Sequence, residues 1–330
     1  MVVKRDKNMA QLSAEQRYEI ASFIGIGFGP TEIMNRTGID KSVVSRELKR
    51  NSKRGVYDAG RAQKMCAARR QRGVTKIKGA LKEQVDKMLG RQYSPEQVSG
   101  RLQLEGQPPA SHECLYQYIY RDRKQGGELY KNLRFSHKKR RKRLSKKDKR
   151  GVIPNKTMIG ERPIEVENKS RLGDWEGDTI IGKGHQGAAV TLVERVSKFT
   201  IIQQVEGKTA NEVGEAVVRM LKNCPIQSKT ITFDNGTEFT NHQQMAERLG
   251  VEIYFANPYH SWERGLNENT NGLIRQYVPK GQNIKELCNQ DFEIVQEKLN
   301  NRPRKSLGFL TPIEFLNTAY ETTRSVAFEP

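Results

Sequence analysis

Three carboxylates carry the most chemistry in this sequence: Asp178 within Trp175-Glu176-Gly177-Asp178, Asp234 at the head of Asp234-Asn235-Gly236-Thr237-Glu238-Phe239, and Glu268 within Asn267-Glu268-Asn269. Metal-assisted phosphoryl transfer requires hard oxygen ligands held close together, with positions left open for phosphate and water. Two Mg2+ ions about 3.5–4 Å apart, replaceable by Mn2+, could then activate a nucleophile and stabilise a leaving 3′ oxygen. Taken singly, each acid is ordinary. An Asp before Asn-Gly is usually a turn residue, and a Glu on a helix is usually a solvated surface group. Asp178 has rivals in Asp174 and Glu176, which share its strand face at period two. It is chosen because it lies deepest in the strand, beside Ile180 and Ile181.

The elements that must position these acids begin near Arg171. Strands are expected at Asp174–Ile181, Ala188–Glu194, Lys198–Val205, Thr230–Phe233 and Val251–Phe255. Thr209-Ala210-Asn211-Glu212 is a capping box that opens a helix ending near Cys224-Pro225, and Gln243–Leu249 is a second helix stopped by Gly250. A helix over Ser261–Val278, interrupted at Gly265 and Gly272, carries Glu268; helices over Asp291–Arg302 and from the capping box Thr311-Pro312-Ile313-Glu314 close the chain. Three strands followed by helix, strand, helix, strand, helix is the order of a ribonuclease H-like α/β core. The 33 residues between Asp234 and Glu268 cover a helix, a strand and the start of another helix, enough to return the chain to one sheet edge.

The charge is segregated. Residues 1–150 carry 37 basic and 15 acidic residues, net +22, whereas residues 151–330 carry 21 and 23, net −2. The first half is therefore built to meet a polyanion, with affinity from counterion release. Within it, residues 13–50 predict three short helices: one from the cap Ser13, one from Pro30 and, after the turn Thr37-Gly38-Ile39-Asp40, one over Lys41–Arg50. This is a helix-turn-helix pattern, with Lys41, Ser42, Ser45, Arg46, Lys49 and Arg50 on the outer faces of the last helix as DNA-contact candidates. A bare three-helix bundle with a solvated basic face is the bland alternative. A second helical pair starts at Ser94-Pro95-Glu96 and Ser111, and reads either as another DNA-binding unit or as a hairpin that only packs. The run from His137 to Arg150 is too densely cationic to fold compactly; a nuclear localisation signal is one use of such a run, and a phosphate-tracking linker is the preferred reading.

No run approaches the roughly 18 apolar residues of a membrane span, and no apolar stretch follows Met1–Asn8 as a signal peptide would. Cys66, Cys114, Cys224 and Cys288 are scattered, as free thiols in a reducing cytoplasm would be. His112 and Cys114 have no second Cys/His pair at zinc spacing.

Three blocks resemble the catalytic blocks of the IS30 family of bacterial insertion-sequence transposases: Arg171–Asp178, Phe233–Phe239, and the long block from Pro258-Tyr259-His260-Ser261-Trp262-Glu263-Arg264-Gly265 through Glu268 to Tyr277. Asn300-Asn301-Arg302-Pro303-Arg304 and Leu310-Thr311-Pro312 are similar too, and the resemblance spans nearly the whole chain. It implies an integrase-like core whose acidic triad falls on Asp178, Asp234 and Glu268. It also implies binding to terminal inverted repeats, cleavage at element ends, and strand transfer by a 3′ hydroxyl. Tyr259, His260, Trp262 and Arg264 are placed to contact DNA or orient a phosphate, core packing being an equal role for Trp262; Arg275 is a further phosphate candidate. Asn235, Asn267 and Asn271 are candidates for steadying the acids by hydrogen bonds.

The expected organisation is multidomain: an all-α helix-turn-helix domain at 1–60, a second helical domain at 61–135, a basic linker at 136–160 and the ribonuclease H-like, integrase-like core at 161–330. The expected function is a Mg2+-dependent DNA transposase. Its partners are double-stranded DNA of the element ends and the target, and a second copy of the chain, as a homodimer or higher oligomer on the bacterial nucleoid. A site-specific DNA-binding regulator would need only the basic half, and a stand-alone nuclease would cut without joining.

Overall fold

The computed structural model describes residues 12–74, 77–134, 153–258 and 260–326. The chain divides into two compact units, Met1–Lys82 and Glu83–Pro330.

The first unit contains α1 (Ala14–Gly25), α2 (Pro30–Thr37), α3 (Lys41–Asn51) and α4 (Ala59–Val74). Local chemistry starts each of the first three and stops the second. Ser13 and Gln16 form a capping box on α1; Pro30 sits in the first turn of α2; Gly38, at φ 70°, ends α2; and the Asp40 side chain accepts from Ser42 N to start α3. Ile20, Ile33, Val44 and Ala62 are wholly buried at the centre. A buried ion pair locks three helices together. Arg17 Nε donates to Glu47 at 2.8 Å and its Nη1 donates to Gln63 of α4 at 2.7 Å, while the Tyr57 hydroxyl donates to Glu47 at 3.1 Å. The boundary expected after residue 60 falls inside α4, which packs on α1.

α5 (Gly79–Gly90) runs into the second unit and is followed by α6 (Pro95–Leu104) and α7 (His112–Lys124). Ser94 and Gln97 form the capping box at α6. α6 is bolted to the end of the chain. The Tyr93 hydroxyl donates to Asn301 O at 2.7 Å, Gln97 Nε2 to Pro303 O at 2.8 Å, and Arg101 makes a bidentate pair with Glu314 at 2.6 Å. Gly100 is required here, because a Cβ would lie 2.3 Å from the Phe309 ring.

The remaining elements are β1 (Thr157–Met158), α8 (Ile164–Asn168), β2 (Asp174–Ile181), β3 (Ala188–Glu194), β4 (Thr200–Val205), α9 (Ala210–Lys222), β5 (Thr230–Phe233), α10 (His242–Leu249), β6 (Glu252–Phe255), α11 (Gly265–Tyr277), α12 (Asn289–Asn300) and α13 (Pro312–Val326). They build a six-stranded mixed sheet of order β1-β6-β5-β2-β3-β4. β2, β3 and β4 are antiparallel neighbours, while β2, β5, β6 and β1 run parallel. One core, around Trp175, Val190, Val217, Phe233 and Phe255, lies under α9 and α10; the other, around Ile180, Ile202, Leu273, Ile274 and Phe292, lies under α11 and α12.

This is the mixed α/β integrase-type core expected behind a helical N-terminal region. Two details differ from expectation. Residues 153–160, assigned to the end of the linker, belong to this unit: Ile153 is buried and Thr157–Met158 extend the sheet beside β6. The basic run at 137–150 lies outside the described residues. Gly272 does not interrupt α11, which begins at Gly265 after a 3-10 turn.

The edge strand β4 is closed by side chains of α12. Asn300 Oδ1 accepts from Thr200 N at 2.8 Å, Gln296 Oε1 from Ile202 N at 2.9 Å and Asn289 Oδ1 from Gln204 N at 3.1 Å. Successive outward-facing backbone donors are thus paired rather than left open to another strand.

Candidate active site

Alternation along β2 turns Asp174, Glu176 and Asp178 toward α11 and Trp175 and Gly177 toward the other core. Gly177 has no room for a side chain, since a Cβ would lie 2.2 Å from the Phe233 ring. The three acids on the polar face have different fates. Asp174 is buried, accepting from Thr230 Oγ1 at 2.9 Å and pairing with Arg171 at 3.1 Å. Glu176 is buried against Arg195 at 2.6 Å and also accepts from Asn267 N. Both are fastened into structural pairs. Asp178 alone lines an open cavity of about 850 Å3.

Asp234 leaves the end of β5 in a tight turn, its Oδ1 accepting from Gly236 N at 3.0 Å, and lines the same cavity. Glu268, exposed in the first turn of α11, lines it as well. The acids do not converge into one cluster: among the described residues no group of three His, Cys, Asp or Glu is close enough to hold a metal ion. Instead the Arg264 guanidinium spans the two aspartates, with Nη2 3.3 Å from Asp178 Oδ2 and Nη1 3.3 Å from Asp234 Oδ2. Burial pushes the Asp178 carboxyl above the ordinary aspartate range; Arg264 opposes the rise and the charge of Asp234 adds to it.

Arg264 was expected to contact DNA. It is buried, and its Nη2 donates to Gly177 O at 2.8 Å, so its place is inside the acidic site. Arg275 reaches the cavity wall and donates to Ile181 O at 2.8 Å; burial lowers its pKa.

The asparagines divide. Asn271 Nδ2 donates to Asp178 Oδ2 at 2.7 Å, and Asn235 ties the Asp234 turn to Ala256 O at 2.7 Å while accepting from Lys156. Asn267 is almost wholly buried with neither side-chain atom hydrogen-bonded, and only its backbone touches Glu176. It does not hold an acid as expected. Tyr259 lies outside the described residues, as does the Trp262 side chain. His260 lines the cavity.

Two groups escaped the sequence. Arg134, from the segment after α7, lines the cavity and lies against Gly272, where a Cβ would come within 2.3 Å of its Nη2. Glu238 is buried beside the site, accepting from Thr179 Oγ1 at 2.8 Å and pairing with Lys208 at 2.7 Å. Its position four residues after Asp234 was the available signal for Glu238. Arg134 had none, being more than forty residues in the chain from Asp178, Asp234 and Glu268.

On the basic first unit, Lys41, Ser42, Arg46, Lys49 and Arg50 of α3 are exposed and Ser45 is half-buried, so the expected outward face of that helix is outward.

Comparison with known proteins decides the family. The chain is 44% identical to the transposase for insertion sequence element IS4351 of Bacteroides fragilis, over 92% of this chain and 94% of that protein. It is 35% identical to transposase InsI for insertion sequence element IS30A of Escherichia coli K12, over 97% of this chain and 87% of that protein. The chain belongs to the IS30 family of insertion-sequence transposases. The integrase core domain family model matches this transposase over residues 169–261, a span that includes Asp178 and Asp234 and ends before Glu268. The crystal structure of the catalytic core domain of BIV integrase covers 46% of the transposase and 98% of its own chain, at 19% identity and a TM-score of 0.37. Family membership makes the transposase an enzyme of DNA transposition. Among its described residues no helix is long and apolar enough to cross a membrane.

Proposed function

We propose that this transposase binds the terminal inverted repeats of its element, cleaves at the element ends and joins the freed 3′ ends to target DNA. The supporting observation is that Asp178 and Asp234 face one shared cation at the wall of an open cavity that Glu268, Arg134, Arg275 and Lys280 also line. Two carboxylates already arranged around a positive group are hard oxygen donors of the kind Mg2+ and Mn2+ take, so these residues fit a divalent ion. Asp178, Asp234 and Glu268 are the residues that would hold it. Bound metal, as a pair of ions, supplies an activated nucleophile and charge stabilisation at the leaving 3′ oxygen.

The chain's own groups do the remaining work. Asn271 fixes the Asp178 carboxylate, and Asn235 fixes the turn that carries Asp234. Arg134, Arg275 and Lys280 offer cations to DNA phosphates entering the cavity. Lys41, Ser42, Ser45, Arg46, Lys49 and Arg50 contact the element end from α3, and the basic run at 137–150 tracks DNA phosphates. Two ends must be joined in one event, so the working form is a homodimer or higher oligomer on DNA, acting on the bacterial nucleoid.

The test is incubation of the full chain with labelled element-end DNA, target plasmid and Mg2+ or Mn2+. Cleaved and joined product is expected. Binding without cleavage in either metal would leave a site-specific regulator, and cleavage without joining would leave a nuclease.

A further inference from the structure

We infer that Arg264 is a built-in counter-ion: it holds Asp178 and Asp234 together before metal arrives, and divalent metal must displace it. This rests on Asp178 and Asp234 being the metal ligands.

The contacts of Arg264 are graded in strength. Its short bond goes to a neutral backbone oxygen, Nη2 to Gly177 O at 2.8 Å, whereas both carboxylates stand at 3.3 Å. Other ion pairs of this unit are closer: Arg195 with Glu176 and Arg101 with Glu314 at 2.6 Å, and Arg171 with Asp174 at 3.1 Å. Charge-assisted N–H···O bonds settle at about 2.7–2.9 Å. Arg264 is therefore tethered beside the aspartates by the Gly177 carbonyl but not locked onto them, and its Nε is buried without a hydrogen bond. The tether can persist while the carboxylates turn to another cation.

The arrangement also accounts for the stand-off of Glu268. Arg264 is the N-cap residue of α11 and Glu268 follows four residues later in the first turn, and both line the cavity. With the arginine supplying positive charge to both aspartates, a third carboxylate has nothing to converge on. A divalent ion offers all three acids more charge than one guanidinium shared between two. Exchanging Arg264 for metal is the step that draws Glu268 toward the aspartates.

The experiment measures Mn2+ binding to the full-length, DNA-free protein by electron paramagnetic resonance of free Mn2+, with thermal unfolding in the presence and absence of Mn2+. Arg264→Gln removes the charge; Arg264→Lys keeps it. Expected is tighter Mn2+ binding by Arg264→Gln, by about tenfold, with a lower metal-free Tm and a larger rise in Tm on adding Mn2+. Arg264→Lys should stay near the unmodified protein in both. Unchanged or weaker Mn2+ binding by a folded Arg264→Gln overturns the inference. The double variant Asp178→Asn, Asp234→Asn separates the two readings: it should lose the Mn2+ site, and if it binds Mn2+ as before, the metal-site reading itself falls.

Discussion

Asn271 connects Asp178 to the neighbouring strand: its Nδ2 donates to Asp178 Oδ2 at 2.7 Å, and its Oδ1 accepts from the hydroxyl of Thr191, the residue opposite Asp178 on β3. The carboxylate is thereby aimed from α11 as well as from its own strand. With Asp178 holding metal as proposed, removing such an outer partner costs about 10–100-fold in metal affinity or activity. Asn271→Ala is expected to cleave element-end DNA at about that disadvantage, partly recovered at high Mg2+, with DNA binding unchanged. Cleavage assays across a Mg2+ series check it; full activity at low Mg2+ would remove Asn271 from the site.

The acids should separate by consequence. Asp178→Asn, Asp234→Asn and Glu268→Gln are each expected to abolish cleavage while gel-shift affinity for element-end DNA persists. Glu176→Gln should act on folding instead, because it leaves Arg195 without its buried partner, at a cost of about 3 kcal/mol. Denaturant midpoints and cleavage by the same four variants distinguish the two groups.

DNA binding by α3 predicts a particular salt response. Replacing Arg46, Lys49 or Arg50 with Ala should weaken binding to element ends. Each lost phosphate contact should flatten the slope of log affinity against log salt by about 0.9. Titrations at several salt concentrations measure it, and an unchanged slope in the triple variant would place the DNA elsewhere.

The closed edge of the sheet carries a prediction about solubility. Asn300 both accepts from Thr200 N and donates to Thr200 O at 2.9 Å. Asn300→Leu strands two buried backbone groups, at about 1–3 kcal/mol each for an unmet partner. With Gln296→Leu added, β4 presents unpaired donors, and light scattering on warming should show association well below the unmodified protein's onset.

Lys198 predicts a pH dependence. Burial, reinforced by Lys169, brings its ammonium down to about 8 from the ordinary 10.5. Between those values the unfolded chain holds a proton that the native state has lost, so this residue makes stability rise with pH across that window. Lys198→Met should exceed the unmodified protein in stability at pH 7, with the advantage shrinking toward pH 10. Urea midpoints at pH 7, 8.5 and 10 check the sign.

Much of the architecture was legible from short-range chemistry. Ser13, Ser94 and Thr209 start helices where the sequence places them as caps, because a helix cap depends only on residues two or three apart. Strand alternation placed Asp174, Glu176 and Asp178 on one face for the same reason: period two is a property of the extended backbone. The three acids of the site, the order of elements along the core and the segregation of positive charge are all statements about types and spacing along the chain.

Which of three equivalent acids stays open was another matter. Asp174 is taken by Thr230, 56 residues away, and Glu176 by Arg195, 19 residues away, and no local pattern encodes those encounters. Arg264 read as a DNA or phosphate contact because it closely precedes Glu268 in the chain; only folding the chain back across 87 residues onto Gly177 O buries it between two carboxylates. Asn267 read as a helper and is sealed away without a side-chain partner, and residues 153–160 read as linker until β6 supplied a strand to pair with. Alternation and caps are set by a few neighbouring dihedrals, whereas charge partners and burial are set by which distant segments the sheet brings together. The residue types therefore specified the chemistry available to this transposase, and tertiary packing assigned each charged group to the site, to the frame or to the gap between the two aspartates.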